Sequence, residues 1–393
     1  MITNKISKED LIIRVHHIGG FEDCGPAEAL QVLGKDVQWV IYDANDEALS
    51  SVAKCQDKNV LLVNNCIGAS NSKGKFHVTV EPTASSMLKP ALSSFKYTFD
   101  QIVWGEHARV VESNDIEIRT IDSLVEESQL PYADFLSIDA QGAELDIING
   151  ASRMLKSTVV GIICEVEFTA VYEGQPLFCD TQDRLRRDNF RFCQISSEQY
   201  WNTGLYVKEL QGAGFFTVGE ALFLKDTDIL DNIENLRCLS EKMLTEKIVY
   251  YLKLAAVAVV FDQLDYAIGI LQPLQMHNFL SLDELANSTD VKYVKILRDL
   301  MNAVETFPPG VAETFPFNYN LSNERDKING RRGIKNLLHN ITPPVLWKFA
   351  RKLVKGDTTK IEDDKIDKIY LNYGLYGLLR NKRERKGIGR RDG

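Results

Sequence analysis

The feature that most constrains the fold is the alternation of short apolar runs with helix-like stretches over residues 1–225. The central runs are almost continuous in Val, Ile and Leu, which is typical of parallel strands buried on both faces. The pattern predicts an α/β fold with a Rossmann-like sheet of seven strands, covered by helices on both sides. The predicted strands are residues 11–17, 37–43, 59–66, 134–139, 159–166, 190–195 and 221–225.

The periodicity changes after residue 225. Residues 239–261, 264–271 and 291–304 have the spacing of amphipathic helices, with a break expected at Pro273. Within the first part, residues 26–33 and 143–155 are predicted helices, and residues 75–81 and 116–120 are predicted accessory strands. We therefore divide the chain into a sheet domain (1–225), a C-terminal helical extension (226–306), and a linker with a tail (307–393).

Charge is distributed unevenly along the chain. Residues 325–393 hold 19 lysines and arginines against eight acidic residues, a net charge of +11, whereas the rest of the chain has a net charge of −20. An acidic body argues against nucleic-acid binding. Residues 343–355 have the pattern of a short cationic amphipathic helix, which predicts peripheral contact with an anionic membrane or packing on the acidic body.

The glycine-rich turn after the first predicted strand is a candidate ligand site. It runs from His17 to Gly25 and precedes a predicted helix. Gly19, Gly20 and Gly25 would let a ligand approach the backbone and the amino terminus of that helix. Asp43 ends the second predicted strand, where a carboxylate can accept hydrogen bonds from the ribose hydroxyls of a nucleoside. The turn and Asp43 together predict a nucleoside-containing cofactor.

Two carboxylates in the turn discriminate between such cofactors. The glycines depart from the G-x-G-x-x-G spacing of dinucleotide-binding enzymes, and Glu22 and Asp23 lie between them. Carboxylates repel a pyrophosphate but are compatible with a sulfonium cation. S-adenosylmethionine is therefore favoured, and an NAD(P)-binding oxidoreductase is the less favoured alternative.

The block from Asp134 to Glu144, which reads DFLSIDAQGAE, is the most specific signal in the chain. It resembles the FkbM-type methyltransferase family, in which a strand ends in Ile-Asp and a turn with Gly and Glu leads into a helix. Other blocks resemble the family in the same order, so that the resemblance covers about residues 11–225: residues 65–68, 74–76, 85–87, 120–124, 164–168, 172–175 and 221–225.

The resemblance implies a methyltransferase that uses S-adenosyl-L-methionine. The acceptor it implies is a hydroxyl oxygen of a sugar, a glycan or a secondary metabolite. Besides the glycines and Asp43, the residues implied to bind the cofactor are Cys66, Ile67 and Asp139. A protein that keeps the fold as a non-catalytic scaffold is a further alternative.

Three side chains are candidates for a base that takes the proton of a hydroxyl acceptor. Asp139 ends a central strand, at the edge where open α/β sheets bind ligands, although it could instead cap the next helix. Glu165 is preferred to Glu167, on the expectation that the two residues point to opposite faces of their strand. His17 lies beside the glycine turn, where a packed histidine is the alternative.

Other candidates have weaker patterns. Tyr172 and Trp201 are expected either to shape an acceptor pocket or to pack in the core, and Glu144 is expected to have a structural role in the first turn of a helix. No spacing typical of a metal site occurs, so we expect no metal cofactor. The seven cysteines lack CxxC spacing and are expected to be free thiols. The first ten residues lack an apolar signal core, which predicts a cytoplasmic location.

Overall fold

A computed structural model describes residues 2–19, 25–44, 59–91, 105–201, 214–227 and 229–305. Gly20, residues 202–213 and the basic tail lie outside these ranges, as do Glu22 and Asp23. None of the helices in the described ranges is long and apolar enough to span a bilayer.

Ten strands in the described ranges form two sheets. They are β1 Ile13–Ile18, β2 Val37–Asp43, β3 Val60–Asn64, β4 Cys66–Ile67, β5 Ser72–Thr79, β6 Val110–Arg119, β7 Phe135–Ile138, β8 Gly161–Glu167, β9 Phe190–Trp201 and β10 Phe215–Lys225. The main sheet has the order β3-β2-β1-β7-β8-β10-β9, and the small sheet has the order β4-β6-β5. The predicted α/β fold with a seven-stranded Rossmann-like sheet is confirmed.

The strand order reverses near the centre of the main sheet. From β1 the chain continues to β2 and β3 on one side, whereas β7 and β8 lie on the other side. These five strands are parallel, and β10 is antiparallel to both β8 and β9. Open α/β sheets bind ligands at such a reversal of strand order, outside the carboxyl ends of the strands. In this sheet the reversal lies between β1 and β7, and we call the edge at the carboxyl ends of these two strands the crevice.

Nine α-helices lie in the described ranges. They are α1 Ile121–Ser128, α2 Glu144–Gly150, α3 Ser152–Ser157, α4 Phe178–Arg187, α5 Ile229–Arg237, α6 Glu241–Val260, α7 Leu264–Met276, α8 Leu282–Ser288 and α9 Lys292–Glu305. Side-chain oxygens at the amino termini of α1, α6 and α8 accept a backbone N–H of the first turn, and these caps are Thr120, Ser240 and Ser281.

Two details of the predicted helices need correction. The predicted helix at residues 26–33 is a 3-10 helix, Gly25–Asp36, which is interrupted at Gly34. The expected break at Pro273 is wrong, because α7 continues through that residue. Proline removes the hydrogen bond to the carbonyl four residues earlier, which belongs to Gly269. Gly269 is exposed, so water can satisfy that carbonyl without ending the helix.

One apolar core joins the sheet to the helical extension. The core cluster that contains Val15, Phe135 and Ile163 also contains residues of α6 to α9, such as Leu252 and Leu297. A second cluster on the other face of the sheet includes residues of α1 to α4. The division into a sheet domain and a helical extension stays a prediction, but the described helices after residue 229 pack directly on the sheet.

The sheet face that packs on the helical extension changes character toward the carboxyl ends of its strands. On β8, Ile163 belongs to the apolar core, whereas Glu165 and Glu167 follow it on the same face. On β7, Phe135 is likewise followed by Ser137. The apolar part anchors the helices, and the polar part lies at the edge that forms the crevice.

A buried ion pair crosses the same interface. Lys253 of α6 places its Nζ atom 3.0 and 2.9 Å from the two carboxylate oxygens of Asp134, which directly precedes β7. Asp134 Oδ2 also accepts the backbone N–H of Arg14 at 2.8 Å. Lys253 is 5% exposed and Asp134 is 8% exposed. Because the pair is enclosed, loss of either partner would leave an uncompensated charge in the core.

We therefore expect Lys253→Ala to lower the free energy of unfolding by about 3–5 kcal/mol, the usual cost of a broken buried pair. The matched control is Lys5→Ala, which removes an exposed pair with Glu241 and should cost less than about 1 kcal/mol. Urea denaturation of both variants measures the difference. Equal destabilisation of the two would contradict an anchoring role for Lys253.

Candidate active site

The crevice begins where the backbone of β1 meets the backbone that follows β7. Asp139 donates its backbone N–H to the carbonyl of Ile18 at 2.9 Å, and Gly19 donates its own to the carbonyl of Tyr42 at 3.2 Å. Gly19 has a φ of 81°, and a Cβ atom there would lie 1.7 Å from the carbonyl oxygen of Asp139. Only glycine fits this position. Gly25 begins the 3-10 helix, and its predicted contact with a cofactor stays a prediction.

Asp43 and Cys66 lie at the far side of the crevice. Asp43 ends β2, where it is paired in register with Asn64 of β3. Burial, and then the charge of Asp43, raise the pKa of the Cys66 thiol to about 11. The thiol therefore stays protonated at neutral pH and is unsuited to nucleophilic chemistry. Ile67 is 2% exposed and packs in the core, so its side chain has almost no surface left for a ligand.

His17 lies beneath the crevice and has no exposed surface. Its Nδ1 atom is 3.0 Å from the hydroxyl oxygen of Ser137 on β7. A general base must reach the proton that it removes. The packed, hydrogen-bonded alternative for His17 agrees with this position better than the predicted catalytic role does.

Asp139 and Glu165 come together through a third residue. Gln141 Nε2 donates to Asp139 Oδ1 at 2.8 Å and to Glu165 Oε2 at 3.3 Å. The two predicted catalytic carboxylates thus share one amide: Asp139 directly follows β7, and Glu165 lies on the neighbouring β8. The residue at the N-cap position of α2 is Ala143, which makes no side-chain hydrogen bond.

Glu144 has the structural role that its position predicts. Its Oε1 atom accepts the backbone N–H groups of Ala140 at 2.9 Å and Gly142 at 3.1 Å, which fixes the turn after β7. Burial, and to a smaller extent the charge of Asp139, raise the pKa of Glu144 to about 7. The side chain therefore changes charge near neutral pH.

The expectation that Glu165 and Glu167 point to opposite faces is wrong. Residues two apart on a strand point to the same face, and both carboxylates interact with those of Asp139 and Glu144. Burial, followed by the charge of Asp139, raises the pKa of Glu165 well above its usual range. Burial, followed by the charge of Glu144, does the same for Glu167. Glu165 is half-buried and Glu167 is only 2% exposed, so Glu165 is the more accessible base.

Sequence reasoning missed Gln141 and Gln175. Gln175 Oε1 accepts the backbone N–H groups of Val171 at 2.8 Å and Tyr172 at 3.0 Å. Tyr172 packs with Trp201 and Val171 in a small cluster, as the core alternative for both aromatics expected. The Tyr172 hydroxyl group also contacts Gln141, at 3.1 Å from Oε1. Gln141 lay inside the most specific sequence block, but the pattern gave no signal for its partners.

The site can hold positive charge and can accept a proton. Four carboxylates, those of Asp139, Glu144, Glu165 and Glu167, share a largely buried volume, where neighbouring charges add to burial in raising the pKa values of the three glutamates. Within the described ranges, no group of three or more His, Cys, Asp or Glu side chains has an arrangement that could bind a metal ion. The described cysteines are free thiols: Cys66, Cys164, Cys179, Cys193 and Cys238.

Comparison with known proteins finds a family match within the sheet region. Residues 28–192 match a family model described as the Methyltransferase FkbM domain, which confirms the resemblance seen in the sequence. No curated protein sequence matches the chain.

Solved structures give weak similarities. Methyltransferase FkbM from Methylobacillus flagellatus KT is 10% identical with a TM-score of 0.31, covering 55% of this chain and 44% of that one. A SAM-dependent methyltransferase from Aquifex aeolicus is 12% identical with a TM-score of 0.26, covering 56% of this chain and 89% of that one. The aligned region thus spans less than half of the Methylobacillus protein, and similarities this weak carry no conclusion about activity.

The contact of Gly19 with Asp139 predicts a steep cost for any side chain there. Gly19→Ala should destabilise the fold by more than about 2 kcal/mol, because left-handed strain alone costs about 1–3 kcal/mol. Gly269→Ala is the matched control, since its added Cβ meets nothing within 4 Å and alanine favours a helix. Chemical denaturation should show opposite signs for the two variants, and a neutral Gly19→Ala would contradict the close approach.

The raised pKa of Glu144 predicts how stability depends on pH. The folded chain holds this proton more tightly than the unfolded chain. The contribution of the proton to the free energy of unfolding is therefore full below pH 4.5 and is lost as the pH rises through about 7. Glu144→Gln keeps an oxygen for both N–H groups and cannot ionise. The variant should match the parent at pH 5 and exceed its free energy of unfolding at pH 8.

The control for this comparison is Glu28→Gln, which changes an exposed glutamate of the 3-10 helix. Denaturation of parent and variants at both pH values measures the effect. If Glu144→Gln were equally destabilised at pH 5 and pH 8, ionisation of Glu144 would not limit stability.

Proposed function

From the FkbM methyltransferase domain that residues 28–192 carry, we propose that this chain is an S-adenosylmethionine-dependent O-methyltransferase. Its proposed acceptor is a neutral hydroxyl compound, such as a sugar, a glycan or a secondary metabolite. The observation that carries the proposal is the crevice between β1 and β7, which brings Gly19, Asp43, Asp139 and Glu165 to one edge of the sheet.

The residues of the crevice fit an adenosyl sulfonium. Gly19 has no side chain where the backbones of β1 and β7 meet, so a ligand can approach them closely. Asp43, at the end of the neighbouring β2, can accept hydrogen bonds from two ribose hydroxyls. The carboxylates that raise the pKa of Glu165 complement a positive charge on sulfur.

Bound S-adenosylmethionine would supply a methyl group already activated by its positive sulfur. The protein then has to hold the acceptor oxygen in line with that methyl group, and such positioning can lower the barrier by about 7–11 kcal/mol. The acceptor hydroxyl would give its proton to Glu165 as its oxygen forms the new bond to carbon, while the carbon–sulfur bond of the donor would break with its electron pair left on a neutral sulfur. Glu165 would then pass the proton on, since it is more exposed than Glu167.

Binding is the first test of the proposal. Isothermal titration should show that the chain binds S-adenosylmethionine and S-adenosylhomocysteine and does not bind NADH. Asp43→Ala should weaken the binding of S-adenosylhomocysteine by about tenfold or more, since a hydrogen bond to a charged group contributes about 1.5–3 kcal/mol. The control is Asp115→Ala, which changes an exposed carboxylate of β6.

Either of two outcomes would overturn this assignment. Binding of NADH alone would indicate an oxidoreductase, and binding of none of the three compounds would indicate a scaffold. Unchanged affinity in Asp43→Ala would remove Asp43 from the cofactor site.

Catalysis by Glu165 is tested separately. Glu165→Gln should lower kcat for methyl transfer to a panel of neutral glycosides by about 10²–10⁴-fold, the usual contribution of a general base. Its affinity for S-adenosylhomocysteine should stay within a few-fold of the parent. Glu167→Gln, on the same face but enclosed, should have a much smaller effect on kcat.

The pH profile gives an independent check. A base must be ionised to accept a proton, so kcat of the parent should fall as the pH drops through the raised pKa of Glu165. A profile without this acidic limb, or full activity in Glu165→Gln, would rule out Glu165 as the base.

A further inference from the structure

Gln141 occupies a strained position in the turn after β7. Its φ is 52°, in the left-handed region that residues other than glycine rarely adopt. The carbonyl of Gln141 accepts the hydroxyl group of Ser86 at 2.7 Å, which ties the turn to the segment after β5. Because strain of this kind persists only where the surroundings hold it, the conformation suggests a role for the side chain.

The side-chain amide of Gln141 joins two carboxylates from different strands. Its Nε2 atom has two N–H donors, and it lies 2.8 Å from Asp139 Oδ1 and 3.3 Å from Glu165 Oε2. One donor is thus available for each carboxylate. The amide thereby sets the distance between the carboxylate that follows β7 and the carboxylate of Glu165 on β8.

Tyr172 contacts the oxygen end of this amide. Its hydroxyl group lies 3.1 Å from Gln141 Oε1 and 3.0 Å from the carbonyl oxygen of Ala84, both of which are acceptors. Burial, followed by the charge of Glu165, raises the pKa of Tyr172, so the phenol stays protonated and shares its one O–H between these two acceptors. A rotated amide would be less stable, because its oxygen would then face two carboxylates and its N–H groups would face the phenol.

The strand-like segment at Tyr172 is itself fixed in place. The backbone N–H of Tyr172 donates to Gln175 Oε1 at 3.0 Å. The carbonyl of Val171 accepts the N–H of Ala91 at 2.8 Å, and the N–H of Glu173 donates to the carbonyl of Lys89 at 2.7 Å. The Tyr172 ring is 2% exposed. The segment therefore holds the phenol rigidly above the amide.

We propose that Gln141 is a positioning residue for the methyl transfer, and that Tyr172 acts through it. The amide of Gln141 holds Glu165 and Asp139 together in their ionised forms and aims Glu165 at the acceptor. This role in catalysis rests on the proposed function, whereas the effect on the two carboxylates does not.

The amide works against the other charges around Glu165. These charges come from Asp139 after β7, Glu144 of α2, Glu167 on β8 and Glu220 on β10. All four are carboxylates, so each one favours the protonated form of Glu165. A fixed pair of N–H donors favours the ionised form, which is the form that a general base needs.

The titration of Glu165 in the free protein tests this inference without a cofactor or an acceptor. Infrared difference spectra recorded across a pH series follow the C=O band of protonated carboxyl groups. The component that belongs to Glu165 is the one lost in Glu165→Gln. In Gln141→Leu we expect the midpoint of this component to rise by about one pH unit, a tenfold lower ionised fraction at a given pH.

Two further variants separate positioning from folding. Gln141→Gly removes the amide but relieves the left-handed strain, so it should fold and show the same rise. Tyr172→Phe should raise the midpoint in the same direction. If Tyr172 acts through Gln141, the double variant should show no larger rise than Gln141→Leu alone.

The control is Tyr293→Phe, which removes another buried phenol that donates to a backbone carbonyl, that of Leu11, away from the crevice. It should leave the midpoint unchanged. An unchanged midpoint in both Gln141 variants would overturn the proposal, as would additive effects of Gln141→Leu and Tyr172→Phe.

Failure of the proposed function would look different. If the parent binds no S-adenosylmethionine but the midpoints move as expected, the amide bridge stands and the catalytic role falls. If the parent binds S-adenosylmethionine and transfers methyl groups, the acidic limb of kcat in Gln141→Gly should move to higher pH together with the infrared midpoint. An unmoved limb would show that the amide does not serve the reaction.

Discussion

The structure depends on the close approach of two backbones at the centre of the main sheet. Gly19 and Asp139 meet where β1 and β7 end, at a distance that leaves no room for a side chain on Gly19. This contact fixes the crevice between the two halves of the sheet. It also places the turn after β7, with Asp139 and Gln141, next to the end of β8. The candidate site therefore follows from one backbone contact and from the strand order around it.

The second constraint is the concentration of negative charge in a largely enclosed volume. Neighbouring charges, that of Asp139 among them, add to burial in raising the pKa values of Glu144, Glu165 and Glu167, and the four residues come from the turn after β7, from α2 and from β8. Such a cluster lowers stability when it is ionised, unless donors or a cation compensate it. Backbone N–H groups do so for Glu144, and the amide of Gln141 does so for Asp139 and Glu165. An adenosyl sulfonium would add the missing positive charge.

Much of the fold could be predicted from the sequence, because strands buried on both faces carry nearly continuous apolar runs. The bounds of β2 agree with the prediction at both ends, whereas β9 and β10 extend well beyond it. Their extra residues are mixed polar and apolar, and the pairing of these two strands contains irregularities of register. Neither property gives a clear strand signal. The break predicted at Pro273 does not occur, because the Gly269 carbonyl that loses its hydrogen bond is exposed. That exposure is a property of the tertiary structure, which the sequence pattern does not contain.

The site was predictable only in part. Asp139 and Glu165 follow from the rule that ligands bind at the carboxyl edge of the sheet. Their bridge through Gln141 does not follow from that rule. The amide of Gln141 also contacts Tyr172, which is 31 residues away in the chain and reaches the amide only through the folded segment around Val171. Sequence periodicity also cannot show that Ile67 and His17 are enclosed.

A crystal structure of the chain with S-adenosylhomocysteine tests the central claim most directly. We expect the ligand in the crevice between β1 and β7, with its ribose hydroxyls on Asp43 and its sulfur facing the carboxylates around Asp139. A ligand bound elsewhere, or a crevice filled by side chains of the protein, would contradict the assignment of this edge as the methyl-transfer site.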